Sequence, residues 1–245
     1  MNIITLPEVS STNTRMRETM PDAPSGTVLA ARSQTAGRGQ RGNSWEAEPG
    51  CNLTFSVLLR PEGVEAATQY AVSEAVAVAV TDVPRPLVPY PDDIAIKWPN
   101  DIYYGDRKIC GILIENTLSG KNIERSIAGV GLNVNQRVFR SDAPNPVSLW
   151  QITGIEHDLD PLLRDVAGAI IDRVAQTSIP AGREALAALY MSRLWRRNGI
   201  YPYSLHDGTT FMASIAGVAS TGHLSLLHDD GSLSVHAFKE VAAIL

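Results

Sequence analysis

Two short runs of this sequence hold residues whose types and spacing can do chemistry. The first is Gly37-Arg38-Gly39-Gln40-Arg41-Gly42-Asn43-Ser44-Trp45. Its glycines let the backbone lie close to a phosphate, its arginines supply permanent charge, and its indole offers a flat face. Such a loop suits an anionic, nucleotide-like ligand. The second run is Lys97-Trp98-Pro99-Asn100-Asp101, followed by Arg107-Lys108 and Gly111. The proline ends a strand and forces Trp98 extended, while Asn100 and Asp101 fall at a bend where side chains can face a ligand. Taken singly, Lys108 reads as a solvated hairpin lysine and Asp101 as a turn residue.

The glycine-arginine run also satisfies G-x-G-x-x-G, the dinucleotide-binding pattern, and on spacing alone it is equally a glycine-rich surface turn. The dinucleotide reading requires the third glycine to open a helix that carries the pyrophosphate on its N-terminus. Here Pro49-Gly50 intervenes, and Asn52 to Leu59 already reads as the next strand, so no helix fits. The phosphate-binding loop of nucleotide hydrolases is excluded as well, since no G-x-x-x-x-G-K-[ST] occurs.

The elements that must position these runs follow from periodicity and breakers. Ile3 to Val9 reads as a strand, and Ser10-Ser11-Thr12-Asn13 as helix-capping chemistry before an amphipathic Thr14 to Met20. Thr27 to Arg32 is a strand before the glycine-arginine loop. Val64 to Val83, rich in alanine and valine, reads as one buried helix stopped by Pro84-Arg85-Pro86. Ile94 to Trp98, Ile102 to Tyr104 and Lys108 to Glu115 read as strands, with Gly105-Asp106 as the hairpin turn between the last two. Ser126 to Val134 is a further strand whose two glycines leave space against the backbone. Asp160-Pro161 is expected to cap a helix with Leu162, Leu163, Val166, Ile170 and Val174 on one face, and Gly182 to Trp195 is a second helix. Past Arg197 the pattern changes to short alternating segments, the texture of a small β-barrel. The expected organisation is therefore two domains, residues 1–197 and 198–245.

Composition places the chain among ordinary globular proteins. Its 245 residues are 44% hydrophobic, enough for a sizeable core. With 21 basic and 26 acidic residues the net charge is −5, which gives no electrostatic reason for general nucleic-acid binding. Cys51 and Cys110, the only cysteines, form no metal-ligand pattern and are expected to be buried, reduced thiols; the five histidines are scattered and read as structural or solvent-exposed. No secretory leader or long apolar segment is apparent, so a cytoplasmic protein without membrane association is expected.

The motifs together, in order along nearly the whole chain, resemble the biotin-protein ligases. Ser11-Thr12-Asn13, the loop from Gln34 to Trp45, Lys97 to Asp101, Arg107-Lys108-x-x-Gly111-Ile112-Leu113 and Gly129-Val130-Gly131-Leu132-Asn133 carry the resemblance. It implies an α+β fold: a mixed sheet with flanking helices, similar to the core of class II aminoacyl-tRNA synthetases, followed by a small SH3-like β-barrel. It implies two reactions. Biotin's carboxylate attacks the α-phosphate of ATP, with Mg2+ as counter-ion, to give biotinyl-5'-AMP; a lysine of a biotin carboxyl carrier domain then takes the biotinyl group.

By the same resemblance, Ser11, Thr12, Asn13 and Gln34 would recognise biotin's ureido head. Arg38, Gly39, Gln40, Lys108 and Gly111 would complete the biotin site, with Gly111 leaving room for ligand against its strand. Gly37, Arg38, Arg41, Trp45, Asn100, Lys108 and Asn133 would bind ATP, and Lys108, Arg38, Arg41 and Asp101 would carry catalysis. Both transition states develop negative charge that fixed cations can stabilise. The sequence departs from the fullest family loop at Gln40 and Asn43, where arginine is usual, and glutamine keeps a donor but loses the charge and the bidentate fork. Some family members carry an N-terminal helix-turn-helix domain that also represses biotin-synthesis genes. Since Ser11-Thr12-Asn13 arrives almost at the start, a ligase without DNA operator function is expected, with a homodimer through an exposed sheet edge left open. The rivals are a lipoyl or octanoyl ligase or transferase of the same superfamily, and a binding module that senses without turnover.

Overall fold

A computed structural model describes residues 1–140 and 144–245, the side chain of Arg41 excepted. Seven strands form one sheet in the order β1-β2-β3-β7-β6-β5-β4: β1 Asn2–Val9, β2 Thr27–Gln34, β3 Leu53–Leu59, β4 Ile94–Lys97, β5 Asp101–Tyr104, β6 Arg107–Ser119 and β7 Asn122–Leu132. β1 and β2 run parallel, and every other pair is antiparallel. The mixed α+β class is thus realised.

Alternation along the strands gives the sheet two unlike faces. Phe55 and Val57 of β3, Val130 and Leu132 of β7, and Cys110 and Ile112 of β6 share one face with the main hydrophobic cluster. On that face pack α2 (Tyr70–Asp82) and α4 (Leu159–Ala175), and α5 (Pro180–Ser192) packs against α2. The opposite face bears Thr54 and Ser56, Gly129 and Gly131, and Gly111, Leu113 and Glu115. One end of it is covered by α1 (Thr12–Thr19), whose Met16 is buried with Leu29, Leu58 and Ile127. The free edge of β4 is shielded by the chain after α5, where Ile96 N donates to Arg193 O and Trp195 N to Ile96 O, both at 2.8 Å.

Several boundaries differ from the sequence expectation for local reasons. The buried helix starts at Tyr70 rather than Val64, because Ile123 N donates to Val64 O and Ala66 N donates to Lys121 O, which tie that segment to the β6–β7 turn. Asp158, not Asp160, caps α4, its carboxylate accepting from Asp160 N at 3.1 Å. A short α3 (Leu149–Thr153), unforeseen, is closed by a capping box between Ser148 and Gln151.

The C-terminal residues form a five-stranded antiparallel sheet, ordered β11-β10-β9-β8-β12, from β8 Tyr201–Leu205, β9 Thr210–Val218, β10 Leu224–His228, β11 Leu233–His236 and β12 Val241–Ala243. No ladder joins β11 to β12 among the described residues, so the expected small barrel is an open sheet. Its own cluster, with Tyr203, Ala213, Leu224, Leu226 and Val241 buried, also packs against Trp98. Trp98 Nε1 donates to Gly222 O at 2.9 Å, and its ring meets Phe238 edge-on.

Candidate functional site

The polar face of the large sheet opens into a cavity of about 1030 Å³ walled on one side by the C-terminal sheet. Ser11, Thr12, Asn13, Gln34, Arg38, Gly39, Gln40, Trp45, Asn100, Asp101, Lys108, Gly111 and Asn133 all line it. Motifs far apart in sequence therefore meet in one hollow. Gly37 stands behind it, where Trp45 N donates to its carbonyl at 3.0 Å and a Cβ would come within 2.6 Å of Trp45 O. Its role is to close the loop. Arg41 belongs to the 3-10 turn Gln40–Gly42, but its side chain lies outside the described residues.

One end of the cavity is a buried hydrogen-bond network of hydroxyls and amides, backed by the Glu115 carboxylate. Helix capping was the simplest sequence reading of Ser11-Thr12-Asn13, yet Ser11 makes no side-chain cap bond at the N-terminus of α1, and all three residues are buried. Asn13 Nδ2 donates to Leu113 O at 3.2 Å and to Glu115 Oε2 at 2.9 Å. Its Oδ1, which can only accept, lies 2.6 Å from Ser56 Oγ, and Ser56 Oγ lies 2.8 Å from Thr12 Oγ1. Ser56 therefore donates to Asn13 and accepts from Thr12. Thr12 N donates to Gln34 Oε1 at 2.8 Å. Gly129 makes the arrangement possible, since a Cβ there would sit 2.3 Å from Asn13 Oδ1.

Ser56 and Glu115 were not anticipated from sequence. Glu115 Oε1 also faces Arg17 at 3.0 Å and Arg38 at 3.4 Å, and Arg38 Nη1 donates to Thr14 Oγ1 at 3.3 Å. The signal available was alternation: a carboxylate four residues beyond Gly111 falls on the same face of β6.

The other end is cationic, and strand register builds it. Thr54 pairs with Gly131, Gly131 with Gly111, Gly111 with Asp101 and Asp101 with Lys97, one continuous rung across β3, β7, β6, β5 and β4. On its two glycines lies the Trp45 indole: a Cβ at Gly131 would come within 2.3 Å of the ring and one at Gly111 within 2.9 Å. The room expected beside Gly111 is thus taken by Trp45. The indole Nε1, buried, has no hydrogen-bond partner.

A bulge aims Lys108. Cys110 pairs with Ile102 but Lys108 with Tyr103, so Ile109 is the extra residue. Strict alternation from Cys110 would turn Lys108 into the core; the added residue brings it to the cavity face instead. There Lys108 Nζ lies 2.7 Å from Asp101 Oδ1 and 5.5 Å from the centre of the Trp45 ring.

Asn100 is fixed to the sheet, its Nδ2 donating to Ile112 O at 2.7 Å. Asn133 Nδ2 donates to Val147 O at 3.1 Å, while its Oδ1 is buried without a partner and offers an acceptor to a ligand. Lys97, Tyr103, His206 and Lys239 also line the cavity. His206, at the cavity's rim, is solvent-exposed, within the expectation that the histidines are structural or exposed. Cys110 is fully buried and desolvation holds its thiol far above the ordinary range, so it is inert, whereas Cys51, expected to be buried as well, is only half-buried.

Residues 6–133 match the biotin/lipoate A/B protein ligase family. The bifunctional ligase/repressor BirA of Escherichia coli is 30% identical over 94% of this chain and 70% of its own length. The biotin–[acetyl-CoA-carboxylase] ligase of Paracoccus denitrificans is 32% identical over 64% of this chain and 65% of its own. Among solved structures, the biotin protein ligase of Aquifex aeolicus in complex with biotin and ATP superposes with a TM-score of 0.78 at 26% identity, over 99% of this chain and 98% of that one.

Proposed function

The chain belongs to the biotin/lipoate A/B protein ligase family, and we propose that it is an ATP-dependent biotin-protein ligase. It activates biotin with MgATP to biotinyl-5'-AMP and passes the biotinyl group to a lysine of a biotin carboxyl carrier domain. The observation that carries this reading is the single cavity whose two ends differ: a buried network of hydroxyls and amides at one, Lys108 with Asp101 at the other.

The ureido head of biotin is neutral and needs both donors and acceptors once buried. Ser11, Thr12, Asn13 and Gln34 are assigned to it, with Ser56 and Glu115 holding Asn13. Biotin's carboxylate then points along the glycine-floored rung toward Lys108. There its oxygen attacks the α-phosphorus of ATP, and the bond from that phosphorus to the bridging oxygen breaks toward pyrophosphate. Lys108 and Arg38 neutralise charge on the carboxylate and α-phosphate, and Asp101 holds the Lys108 ammonium in place. Arg41, Gly39 and Gln40 are assigned to closing the loop over the adenylate. Trp45, Asn100 and Asn133 are assigned to the nucleotide, with the orphaned Asn133 Oδ1 suited to an amino group.

In the second step a carrier lysine's neutral amine attacks the biotinyl carbonyl, and the carbon–oxygen bond to AMP breaks. Residues 1–197 carry this chemistry, and residues 198–245 wall the cavity. The free edge of β1 supports pairing of two copies. No helix is long and apolar enough to cross a membrane among the described residues.

The test is to incubate the purified protein with MgATP, a carrier domain and either biotin or lipoate, and to weigh the carrier. A biotinyl mass increase that needs ATP and the carrier lysine is expected. No increase with biotin, or an equal one with lipoate, would overturn the reading.

A further inference from the structure

Lys97 has no role in the assignments above, and its surroundings demand one. It ends β4, directly opposite Asp101, and lines the cavity at the end of the glycine rung. The carboxylate facing it is already paired with Lys108 at 2.7 Å. Among the described residues no acid comes within ion-pair distance of the Lys97 ammonium, which instead sits 5.4 Å from the centre of the Tyr103 ring. Burial pulls its pKa below the ordinary lysine range; Asp101 opposes that shift, and repulsion by Lys108 and Arg196 adds to it. Lys239 lines the same cavity from the C-terminal sheet, its backbone held at φ +76 where non-glycine residues are uncommon.

This end of the site therefore sets two ammonium groups, Lys97 and Lys108, against the single carboxylate of Asp101, with Lys239 lining the same cavity. An ammonium taken from water among like charges is costly unless an anion joins it. A single carboxylate or α-phosphate, already met by Lys108, leaves that charge unmatched; a polyphosphate matches it.

Resting on the ligase reading, we propose that Lys97 binds the β- and γ-phosphates of ATP and stabilises the pyrophosphate as it leaves. When biotin's oxygen bonds to the α-phosphorus, the electron pair of the breaking bond passes to the pyrophosphate oxygen, and the Lys97 ammonium meets that charge. Lys108 stays with the adenylate. Transfer to the carrier releases AMP, not pyrophosphate, so Lys97 acts in the first half-reaction alone.

Lys97→Met keeps most of the stem and removes the charge; Lys97→Arg restores it. Biotin-dependent ATP–pyrophosphate exchange reports the first half-reaction, and carrier biotinylation from supplied biotinyl-5'-AMP reports the second. Lys97→Met is expected to slow exchange about a hundredfold and raise KM for ATP. The KM for biotin and the rate of transfer stay within about twofold of wild type, with Lys97→Arg recovering most of the exchange. Exchange within about threefold of wild type, or exchange and transfer falling together, overturns the proposal. Calorimetry with pyrophosphate alone separates this failure from that of the biotin assignment: Lys97→Met should weaken pyrophosphate about tenfold whichever acid the enzyme activates, and unchanged affinity overturns the phosphate role.

Discussion

The two faces of the seven-stranded sheet come from the same strands, alternating residue by residue, yet they meet opposite demands. On the helix-covered face, Phe55, Val57, Val130 and Ile112 fill volume, and their contribution is burial. On the cavity face, the neighbours of those residues are Ser56, Gly129, Gly131 and Gly111, which either carry a polar group or withdraw a side chain altogether. A site of this kind is made by subtraction: the glycines give Asn13 and Trp45 a floor, and the opposite face keeps that floor rigid. Substitutions on the two faces should therefore separate stability from activity, even at adjacent positions.

The largest expected effect is on stability. Phe55 is fully buried in the helix-side cluster, and Phe55→Ala should cost about 3–5 kcal/mol, the usual range for an emptied aromatic site. Denaturant unfolding measures the loss, while turnover per folded molecule should stay close to wild type. A matching collapse in the turnover of folded protein would break the division between faces.

Next comes Lys108→Ala on the cavity face, which should lower biotin-dependent pyrophosphate release about 10²–10³-fold. Its unfolding midpoint should move little, because the side chain is partly exposed and its ion pair with Asp101 is a short-range contact at the cavity wall. Normal release would show that the catalytic cation has been misassigned.

The helix side buries a carboxyl among its apolar residues, and pH reads it out. Glu74 of α2 is buried, and desolvation pushes its carboxyl up to about 7 from an ordinary 4.5. Since the folded state holds this proton more tightly than the unfolded chain, the stabilising contribution is complete below the unfolded value. It is lost as pH rises through about 7. The total is on the order of 3 kcal/mol at 1.36 kcal/mol per unit. Glu74→Gln should therefore gain stability relative to wild type between pH 5 and about pH 8 in thermal unfolding. Parallel wild-type and variant profiles would show that Glu74 finds compensation near Tyr70 and Tyr190.

How much of this was legible in the sequence divides along the same line. The glycines at 111, 129 and 131 announced close approaches, but not that Trp45 and Asn13 make them, because the partners lie on distant segments. The strands and the α4 face were readable from periodicity; the start of α2 at Tyr70 was not, because it depends on a tertiary bond between Ala66 and Lys121. Lys108 was recognisable by its motif, yet its orientation comes from an extra residue at Ile109 that no hydrophobic pattern marks. Ser56 was invisible for a related reason, since one polar residue in a strand says nothing until the opposite strand is known; alternation from Gly111 put Glu115 on the cavity face but not against Asn13.

Ser56→Ala gives the smallest effect and the finest test. Removing its hydroxyl leaves Asn13 Oδ1 without the donor 2.6 Å away and Thr12 without its acceptor, while the buried methyl is tolerated in a tightly packed strand. The stranded groups should cost about 1–2 kcal/mol. Because Asn13 also donates to Leu113 O and Glu115, the loss should appear as a less well-oriented amide and not as a displaced helix. The expected outcome is a KM for biotin raised about tenfold with KM for ATP unchanged, since the nucleotide end is held by a different rung of the sheet. If both constants rise together, the two ends of the cavity are coupled through β3 and β7, and the network of hydroxyls and amides helps to position Trp45 as well as the ureido head.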